Sequence, residues 1–194
     1  MGRDKASLPF GDETLLARVM RLVAECVPRE RILLVAAAEQ QLPSLPWEAT
    51  VIRDRQADQG PLPAIIDGLA TFGASILSAF VVSCDAPLLE FALVERLFQL
   101  LLTEADAVIP TEGERLHPLL AVYRPRVAEA LRPQLAAGTT SLHGALRSSG
   151  CRIVEASVEQ LRAADPELRS FLNCNTCDEY ETALDLATRP NGPR

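Results

Sequence analysis

The chain has 194 residues, of which 48% are hydrophobic and 23% are charged, as in globular proteins that form one well-packed core. Its formal net charge of −7 argues against nucleic-acid binding and against docking on anionic membranes, because both need a basic surface. The charged start lacks the apolar stretch of a secretory leader, no apolar run is long enough to span a membrane, and the five cysteines are scattered. We therefore expect a single domain over residues 1–194 that works in the reducing cytoplasm.

The spacing of apolar residues predicts strands and helices that alternate along the chain. In chain order we expect a helix over 15–26, strands over 32–37 and 49–53, a helix over 64–72, a strand over 79–84, a helix over 91–102, an antiparallel strand pair over 106–110 and 118–123, helices near 127–135 and 141–147, a strand over 151–155 and a helix over 178–187. Such alternation is typical of βαβ units. It predicts an α/β fold of three layers with a mainly parallel sheet.

Two aspartates follow predicted strands and are candidates for a ligand site. Asp85 comes directly after the strand that ends at Cys84, and Asp54 after the strand that ends at Arg53. Because ligands of open parallel sheets bind outside the carboxyl ends of the strands, these two carboxylates are placed to hold Mg²⁺ and a nucleotide phosphate. The alternative is that either aspartate only caps a helix or a turn.

Two glycine-containing segments suit a phosphate or a nucleobase. Residues 1–6 read MGRDKA, where a flexible glycine precedes Lys5, a cation that can neutralise phosphate charge. Gly60, Pro61 and Leu62 lie just before a predicted helix and could present backbone N–H groups to a ligand. An ordinary turn with a proline at the start of a helix is the alternative for the second segment.

The segment near residue 174 contains a C-x-x-C pattern but favours neither redox nor zinc chemistry. A zinc site needs four ligands, and the sequence offers no second cysteine pair and no nearby histidine pair, since His117 and His143 are far apart. We therefore expect Cys174 and Cys177 to be packing or incidental residues. The neighbouring Asn173 and Asn175 are better candidates, as polar groups that orient a substrate. No signature of nucleophilic catalysis is present.

Taken together, these segments resemble the molybdenum cofactor guanylyltransferase family, within the larger nucleotidyltransferase superfamily. The segments that match, in the family's order and spacing and over nearly the whole chain, are residues 1–6, Asp54 with residues 60–62, and residues 82–87, 117–123 and 171–176. The resemblance implies a three-layer α/β/α, Rossmann-like nucleotidyltransferase fold. It also implies transfer of GMP from Mg-GTP to the phosphate of molybdopterin, with release of pyrophosphate.

The resemblance assigns roles to the candidate residues. Lys5 would contact the triphosphate, and Asp85 would ligate Mg²⁺. Asp54 and residues 60–62 would line the guanine nucleotide pocket, and Asn173 and Asn175 would lie on the molybdopterin side. Other cofactor-biosynthesis proteins are possible partners. Direct in-line attack needs no covalent intermediate, which agrees with the absence of a nucleophile signature.

The sequence departs from the family in three places. The family's opening strand and its Leu-Ala-Gly-Gly turn are absent, Ala36 stands where an asparagine is frequent, and Cys177 replaces a proline. Because the opening strand normally lies inside the sheet, we expect its neighbours to keep unpaired backbone groups.

Several alternatives stay open at this point. A cytidylyltransferase for the same cofactor, or a sugar or phospholactate nucleotidyltransferase, fits the same residues. A catalytically inactive homologue that acts as a binding protein is the alternative outside enzymes.

Overall fold

Strands and helices alternate along most of the chain, as the apolar spacing predicts. The computed structural model describes residues 4–54 and 60–188. Its helices are α1 (Leu15–Cys26), α2 (Leu62–Phe72), α3 (Phe91–Leu100), α4 (Val127–Ala136), α5 (Leu142–Ser148), α6 (Val158–Leu161) and α7 (Cys177–Thr188). Its strands are β1 (Pro9–Phe10), β2 (Glu13–Thr14), β3 (Leu33–Ala37), β4 (Thr50–Asp54), β5 (Ala79–Val82), β6 (Ala107–Glu112), β7 (Arg115–Leu116), β8 (Leu120–Tyr123) and β9 (Ile153–Ser157).

Local sequence explains where several helices begin. The Thr14 hydroxyl accepts a hydrogen bond from the Ala17 backbone at the start of α1, and Ser141 caps α5 in the same way. Ser157 and Gln160 form a reciprocal capping box at the start of α6. Each cap satisfies backbone N–H groups that have no partner inside the helix.

The α/β class is confirmed, but the hydrogen-bonded sheet is mixed rather than mainly parallel. β3 pairs in parallel with β4, and β9 pairs in parallel with β6. In contrast, β8 runs antiparallel to both β5 and β6, and β7 runs antiparallel to β6. The physical reason is the short connection between β6 and β8, since a parallel return needs a crossover of a dozen residues or so. Gly113, with φ +59°, forms the tight turn.

Helices cover both faces of the strands, which gives the expected three layers. One core cluster joins α2, α4 and α5 to β6 and β8. A second cluster packs α3 and α6 against the opposite face of β6 and β8, with part of α1 beside them. Among the described residues, no helix is long and apolar enough to cross a membrane.

The strands form two separate larger sheets, and an apolar cavity lies between them. Within the described part of the chain, β3 pairs only with β4 and β5 pairs only with β8. The cavity, called the β3–β5 cavity below, has a volume of about 730 Å³ and is lined by both strands and by residues of α1, α2 and α3. Most residues of β3 and all residues of β5 are half-buried, whereas the residues of β8 are all buried. The sequence led us to expect unpaired backbone groups beside the absent opening strand, and within the described residues β3 and β5 each pair with one strand.

Candidate active site

Three of the residues predicted from the sequence meet at one edge of the structure. The Lys5 Nζ lies 2.8 Å from Asp85 Oδ2 and donates a hydrogen bond of 2.6 Å to Asn175 Oδ1. The side chains of Lys5 and Asp85 are 34% and 14% exposed, so the pair is open to a ligand from one side. These contacts join positions 80 and 170 residues apart in the sequence and bring the three side chains together.

Lys5 is held in place by its neighbours in the chain. It begins a short 3₁₀ turn, Lys5–Ser7, which the Asp4 side chain caps by accepting a hydrogen bond from the Ala6 backbone. Ala6 is buried against Met20 of α1, and the Gln40 amide donates to both oxygens of Asp4. The backbone of Lys5 is thereby fixed, while its flexible side chain can still turn towards a ligand.

Asp85 is fixed from two sides. It follows β5, and the Ser83 hydroxyl donates a hydrogen bond to its Oδ1. Its backbone carbonyl accepts a hydrogen bond of 2.9 Å from the Cys174 N–H. The second bond ties the segment with the two asparagines directly to the end of β5.

Asn175 belongs to a helix cap that the sequence analysis missed. The Glu179 carboxylate accepts hydrogen bonds from the backbone N–H groups of Asn175 and Thr176, at 3.0 Å and 2.8 Å. In return, the Thr176 hydroxyl accepts one from the Glu179 N–H at 3.2 Å. The signal was present in the sequence as Thr-x-x-Glu, a capping box. This cap sets the direction in which Asn175 leaves the start of α7.

Residues 1–153 match the family described as the MobA-like NTP transferase domain. The chain belongs to this family.

Curated relatives agree with this assignment to the MobA-like family. A protein of Mycolicibacterium paratuberculosis named probable molybdenum cofactor guanylyltransferase is 39% identical over 181 residues, which cover 91% of this chain and 84% of that protein. A protein of the same name from Mycobacterium tuberculosis is 37% identical, over 91% of this chain and 83% of the relative.

Solved structures share the fold of the MobA-like chain. A molybdopterin-guanine dinucleotide biosynthesis protein A from Archaeoglobus fulgidus aligns with a TM-score of 0.78 and 26% identity, over 96% of this chain and 92% of that one. A cytidylyltransferase from Leptospira borgpetersenii aligns with a TM-score of 0.64 and 16% identity, over 92% and 77% of the two chains, which shows a common fold. The Rossmann-like nucleotidyltransferase fold expected from the sequence is thereby confirmed.

Lys5 has a further property within this MobA-like chain: it is the only lysine in the sequence, and every other basic residue among the 19 lysines and arginines is an arginine. Arginine binds oxyanions through a rigid fork, whereas lysine supplies a compact point charge on a flexible stem. That Lys5 is the single lysine can be read from the sequence alone.

The second predicted group, Asp54 with residues 60–62, lies outside the cluster of Lys5, Asp85 and Asn175. Asp54 ends β4 in register with Ala37 of β3, so β3 and the β3–β5 cavity lie between it and β5. Gly60 has a φ of +66°, and Leu62 is fully buried in the core at the start of α2. Of Leu62, only the backbone can therefore face a ligand.

A network of hydrogen bonds links the end of β4 to the residue before Lys5. The Arg53 guanidinium donates hydrogen bonds to the carbonyls of Ala37 and Gln40, at 3.1 Å and 2.6 Å. Gln40 in turn donates to Asp4, the residue before Lys5. Arg53 thus fixes the loop after β3 relative to Lys5, a role that its position in the sequence did not reveal.

The cysteines near the site are unsuited to nucleophilic chemistry. Burial, reinforced by the charge of Asp85, raises the pKa of Cys84 and of Cys174 to about 11. All five cysteines are free thiols, and Cys174 is buried in a core cluster with Phe10 and Leu15. The interpretation of Cys174 as a packing residue agrees with these observations.

The remaining predicted residue, Asn173, is half-buried next to Cys174, and its carbonyl accepts a hydrogen bond of 3.1 Å from the Asn175 N–H. Its position beside Asn175 follows from the chain itself. A role for its side chain stays a prediction.

Proposed function

We propose that this chain is a molybdenum cofactor guanylyltransferase, which transfers GMP from GTP to the phosphate of molybdopterin and releases pyrophosphate. The observation that carries the proposal is the cluster of Lys5, Asp85 and Asn175, found in a chain that is 37–39% identical to relatives of that name. A cation, a carboxylate and an amide at the ends of separate elements suit a reaction that depends on positioning and charge.

Lys5 acts on the triphosphate in this proposal. Without a ligand, its ammonium group is satisfied by Asp85 and Asn175. A bound triphosphate offers it stronger anionic partners, and its charge then offsets the negative charge that develops on the departing pyrophosphate. The contact with Asp85 keeps Lys5 directed at the site until the nucleotide binds.

Asp85 fits a single Mg²⁺ ligand. The described residues contain no group of three or more histidine, cysteine or acidic side chains that could hold a metal ion. Mg²⁺ requires less, because it commonly takes one or two carboxylates together with substrate phosphates and water. Asp85 would hold it, and the ion would supply charge neutralisation at the phosphates. The hydrogen bond from Ser83 orients the Asp85 carboxylate for that contact.

The two substrates are assigned to different groups of residues. We propose that Asp54, Gly60, Pro61 and the backbone of Leu62 line the nucleotide pocket, since they lie at the end of β4 and the start of α2. Asn173 and Asn175 are assigned to molybdopterin. Further cofactor-biosynthesis proteins as partners and a location in the cytoplasm belong to the same proposal.

The single lysine permits a direct binding test. Reductive methylation followed by peptide mass spectrometry measures how fast the Lys5 amine is modified, with an unrelated lysine-containing peptide as the internal reference. We expect Mg-GTP to slow the modification of Lys5 while the reference peptide is unaffected, and CTP to protect less at equal concentration. Equal or better protection by CTP would favour a cytidylyltransferase. No protection by either nucleotide would contradict nucleotide binding at Lys5.

Turnover is tested with GTP, CTP, Mg²⁺ and molybdopterin by measuring released pyrophosphate. We expect release only when GTP and molybdopterin are both present. Release with a sugar phosphate or phospholactate instead would identify another nucleotidyltransferase. Binding without turnover by any acceptor would support the alternative of a binding protein.

A further inference from the structure

We infer that Arg18 of α1 is a positioning residue of the candidate active site. It holds the loop that carries Asp85 against the segment that carries Lys5, and so sets the distance between their charged groups. Arg18 acts through the backbone of that loop rather than on a ligand. Its effect on turnover rests on the proposed function, whereas its effect on the contact between Lys5 and Asp85 does not.

One edge of the Arg18 guanidinium binds the loop that follows β5. The Arg18 Nε donates a hydrogen bond of 3.0 Å to the Pro87 carbonyl, two residues after Asp85. Pro87 is buried, and a buried carbonyl needs a partner. Because proline has no N–H group, its carbonyl is the backbone group by which a hydrogen bond can hold it. With the bond from the Cys174 N–H to the Asp85 carbonyl, the loop is fixed on both sides of Ala86.

The rest of the guanidinium holds the β1–β2 hairpin, which follows the turn of Lys5. The Arg18 Cζ lies over the Phe10 ring, 5.2 Å from its centre, and the Arg18 Nη1 lies 3.4 Å from Glu13 Oε1. Phe10 is only 2% exposed, so its ring is a fixed support. A planar guanidinium can pack on an aromatic ring and donate several hydrogen bonds at once. Arg18 therefore ties the hairpin to the loop of Asp85.

The third segment of the candidate site, the start of α7, reaches the same place through Phe10. The Tyr180 ring packs edge-on against Phe10 with centroids 6.1 Å apart, and the Tyr180 hydroxyl donates a hydrogen bond to a carbonyl of β1. Cys174, just before Asn175, is buried in the same cluster as Phe10. All three segments of the candidate site therefore meet at the pair of Arg18 and Phe10.

Arg21 is a matched control, because it lies on the same helix and contacts the same carboxylate. The Arg21 Nη2 lies 3.0 Å from Glu13 Oε1, and the Arg21 side chain is 45% exposed, against 22% for Arg18. Of the two arginines, only Arg18 contacts Pro87 and Phe10 in the described part of the chain. Loss of Arg18 would leave Glu13 paired with Arg21, so the ion pair is not what the experiment removes.

The rate at which the single lysine is methylated tests the inference without turnover. It is measured by peptide mass spectrometry in Arg18→Met and Arg21→Met, each with and without Asp85→Asn. We expect Arg18→Met to speed the modification of Lys5 by about threefold or more, because a charge-assisted hydrogen bond to Asp85 is weakened. Arg21→Met should leave the rate unchanged. Together with Asp85→Asn, Arg18→Met should have no further effect, since the contact on which it acts is already lost.

Turnover is a second readout. We expect Arg18→Met to lower kcat for pyrophosphate release by about tenfold while KM for GTP changes by less than about twofold, because the nucleotide binds but the charged groups are misplaced. Arg18→Lys keeps a cation that can donate to one carbonyl, and should restore part of kcat. If wild type releases no pyrophosphate with GTP and molybdopterin, the proposed function fails while the methylation rates still decide the role of Arg18.

Two results would overturn the inference. One is an equal methylation rate of Lys5 in Arg18→Met and Arg21→Met. The other is an equal increase in that rate by Arg18→Met with and without Asp85→Asn, because general loosening of the fold would then be the cause. If urea denaturation shows that Arg18→Met does not fold, Arg18→Lys takes its place in the same comparison. Peptide mapping separates its two lysines, and the same two results decide.

Discussion

At the residue scale, Lys5 is the side chain on which the candidate site depends most. It is the one lysine of the chain and contacts both Asp85 and Asn175. We expect Lys5→Ala to lower kcat/KM for pyrophosphate release by about 10²–10³, the range for losing one group that stabilises charge in the transition state. The matched control is Arg96→Ala, which removes a cation from the exposed face of α3. Equal values of kcat/KM for Lys5→Ala and this control would contradict the assignment of Lys5 to the site.

The negative charge of Asp85 can be removed with little change in the shape of the side chain. In Asp85→Asn the Ser83 hydroxyl keeps an oxygen acceptor, but the carboxylate that pairs with Lys5 is lost. We expect turnover at fixed GTP to fall by about a hundredfold and to lose its dependence on Mg²⁺ concentration. Glu95→Gln, on the exposed face of α3, is the control. An unchanged Mg²⁺ dependence in Asp85→Asn would assign the metal to another group.

At the element scale, the segment that leads to the asparagines is anchored by one buried carboxylate. Asp165 is 1% exposed and accepts hydrogen bonds of 2.9 Å from the backbone N–H groups of Arg169 and Ser170. The Ser170 hydroxyl then accepts from the Glu90 N–H at the start of α3. This chain of bonds fixes the turn before Asn173 to the helix that follows the Asp85 segment.

Removing that carboxylate should destabilise the protein. We expect Asp165→Ala to lower the free energy of unfolding by about 2–3 kcal/mol, because backbone N–H groups lose buried partners. Urea denaturation measures the change. Glu181→Ala, which removes an exposed carboxylate from α7, should change stability by less than about 0.5 kcal/mol. A similar small change in Asp165→Ala would mean that water replaces the carboxylate.

The connection between β7 and β8 holds a half-buried histidine. His117 packs edge-on against Phe171 at 5.1 Å, and among the described residues its Nε2 has no hydrogen-bond partner, with Glu112 Oε2 at 4.0 Å. Burial, with the nearby Arg115, lowers its pKa below the usual value, although Glu112 acts in the opposite direction. Folding therefore favours the neutral imidazole.

This shift has a definite sign for stability. As pH falls through the ordinary histidine pKa, the unfolded chain takes up a proton that folded His117 does not, so the folded state loses stability until its own pKa is passed. We expect His117→Phe to reduce the loss of stability between about pH 7 and pH 5, measured by urea denaturation at several pH values. The same substitution at His143, the other histidine, is the control. Parallel curves for wild type and His117→Phe would contradict the prediction.

At the scale of the whole molecule, the five thiols differ in exposure. Cys177 is exposed, whereas Cys174 is buried and the other three are half-buried. Burial raises the pKa of Cys26, Cys84 and Cys174 to about 11, so little reactive thiolate forms near neutral pH.

A thiol titration with Ellman's reagent measures this difference. We expect fast reaction at Cys177 in the folded protein and reaction of all five thiols after denaturation. Cys177→Ser should remove the fast phase. A fast phase that survives in Cys177→Ser would mean that the reagent reaches a half-buried thiol, either Cys151 or one of Cys26 and Cys84, which line the β3–β5 cavity.

The elements themselves were largely predictable from the sequence. The apolar spacing predicted α1 with its observed bounds, and it predicted the antiparallel relation of β6 and β8. It missed the β1–β2 hairpin and α6, because strands of two residues and a helix of four carry no periodic signal. It also extended β5 to Cys84, although pairing with β8 ends at Val82.

The sequence by itself determined the order of the larger strands and helices and the membership of the family, and it predicted Lys5 and Asp85 as site residues. These follow from local periodicity and from short motifs, which are properties of neighbouring residues. Only the tertiary structure decided that Lys5 meets Asp85 and Asn175, that the sheet is mixed, and that β3 and β5 stand apart around a cavity. The physical reason is that strand partners and side-chain contacts across 80 or 170 residues depend on how edges pair in space, which no local pattern encodes.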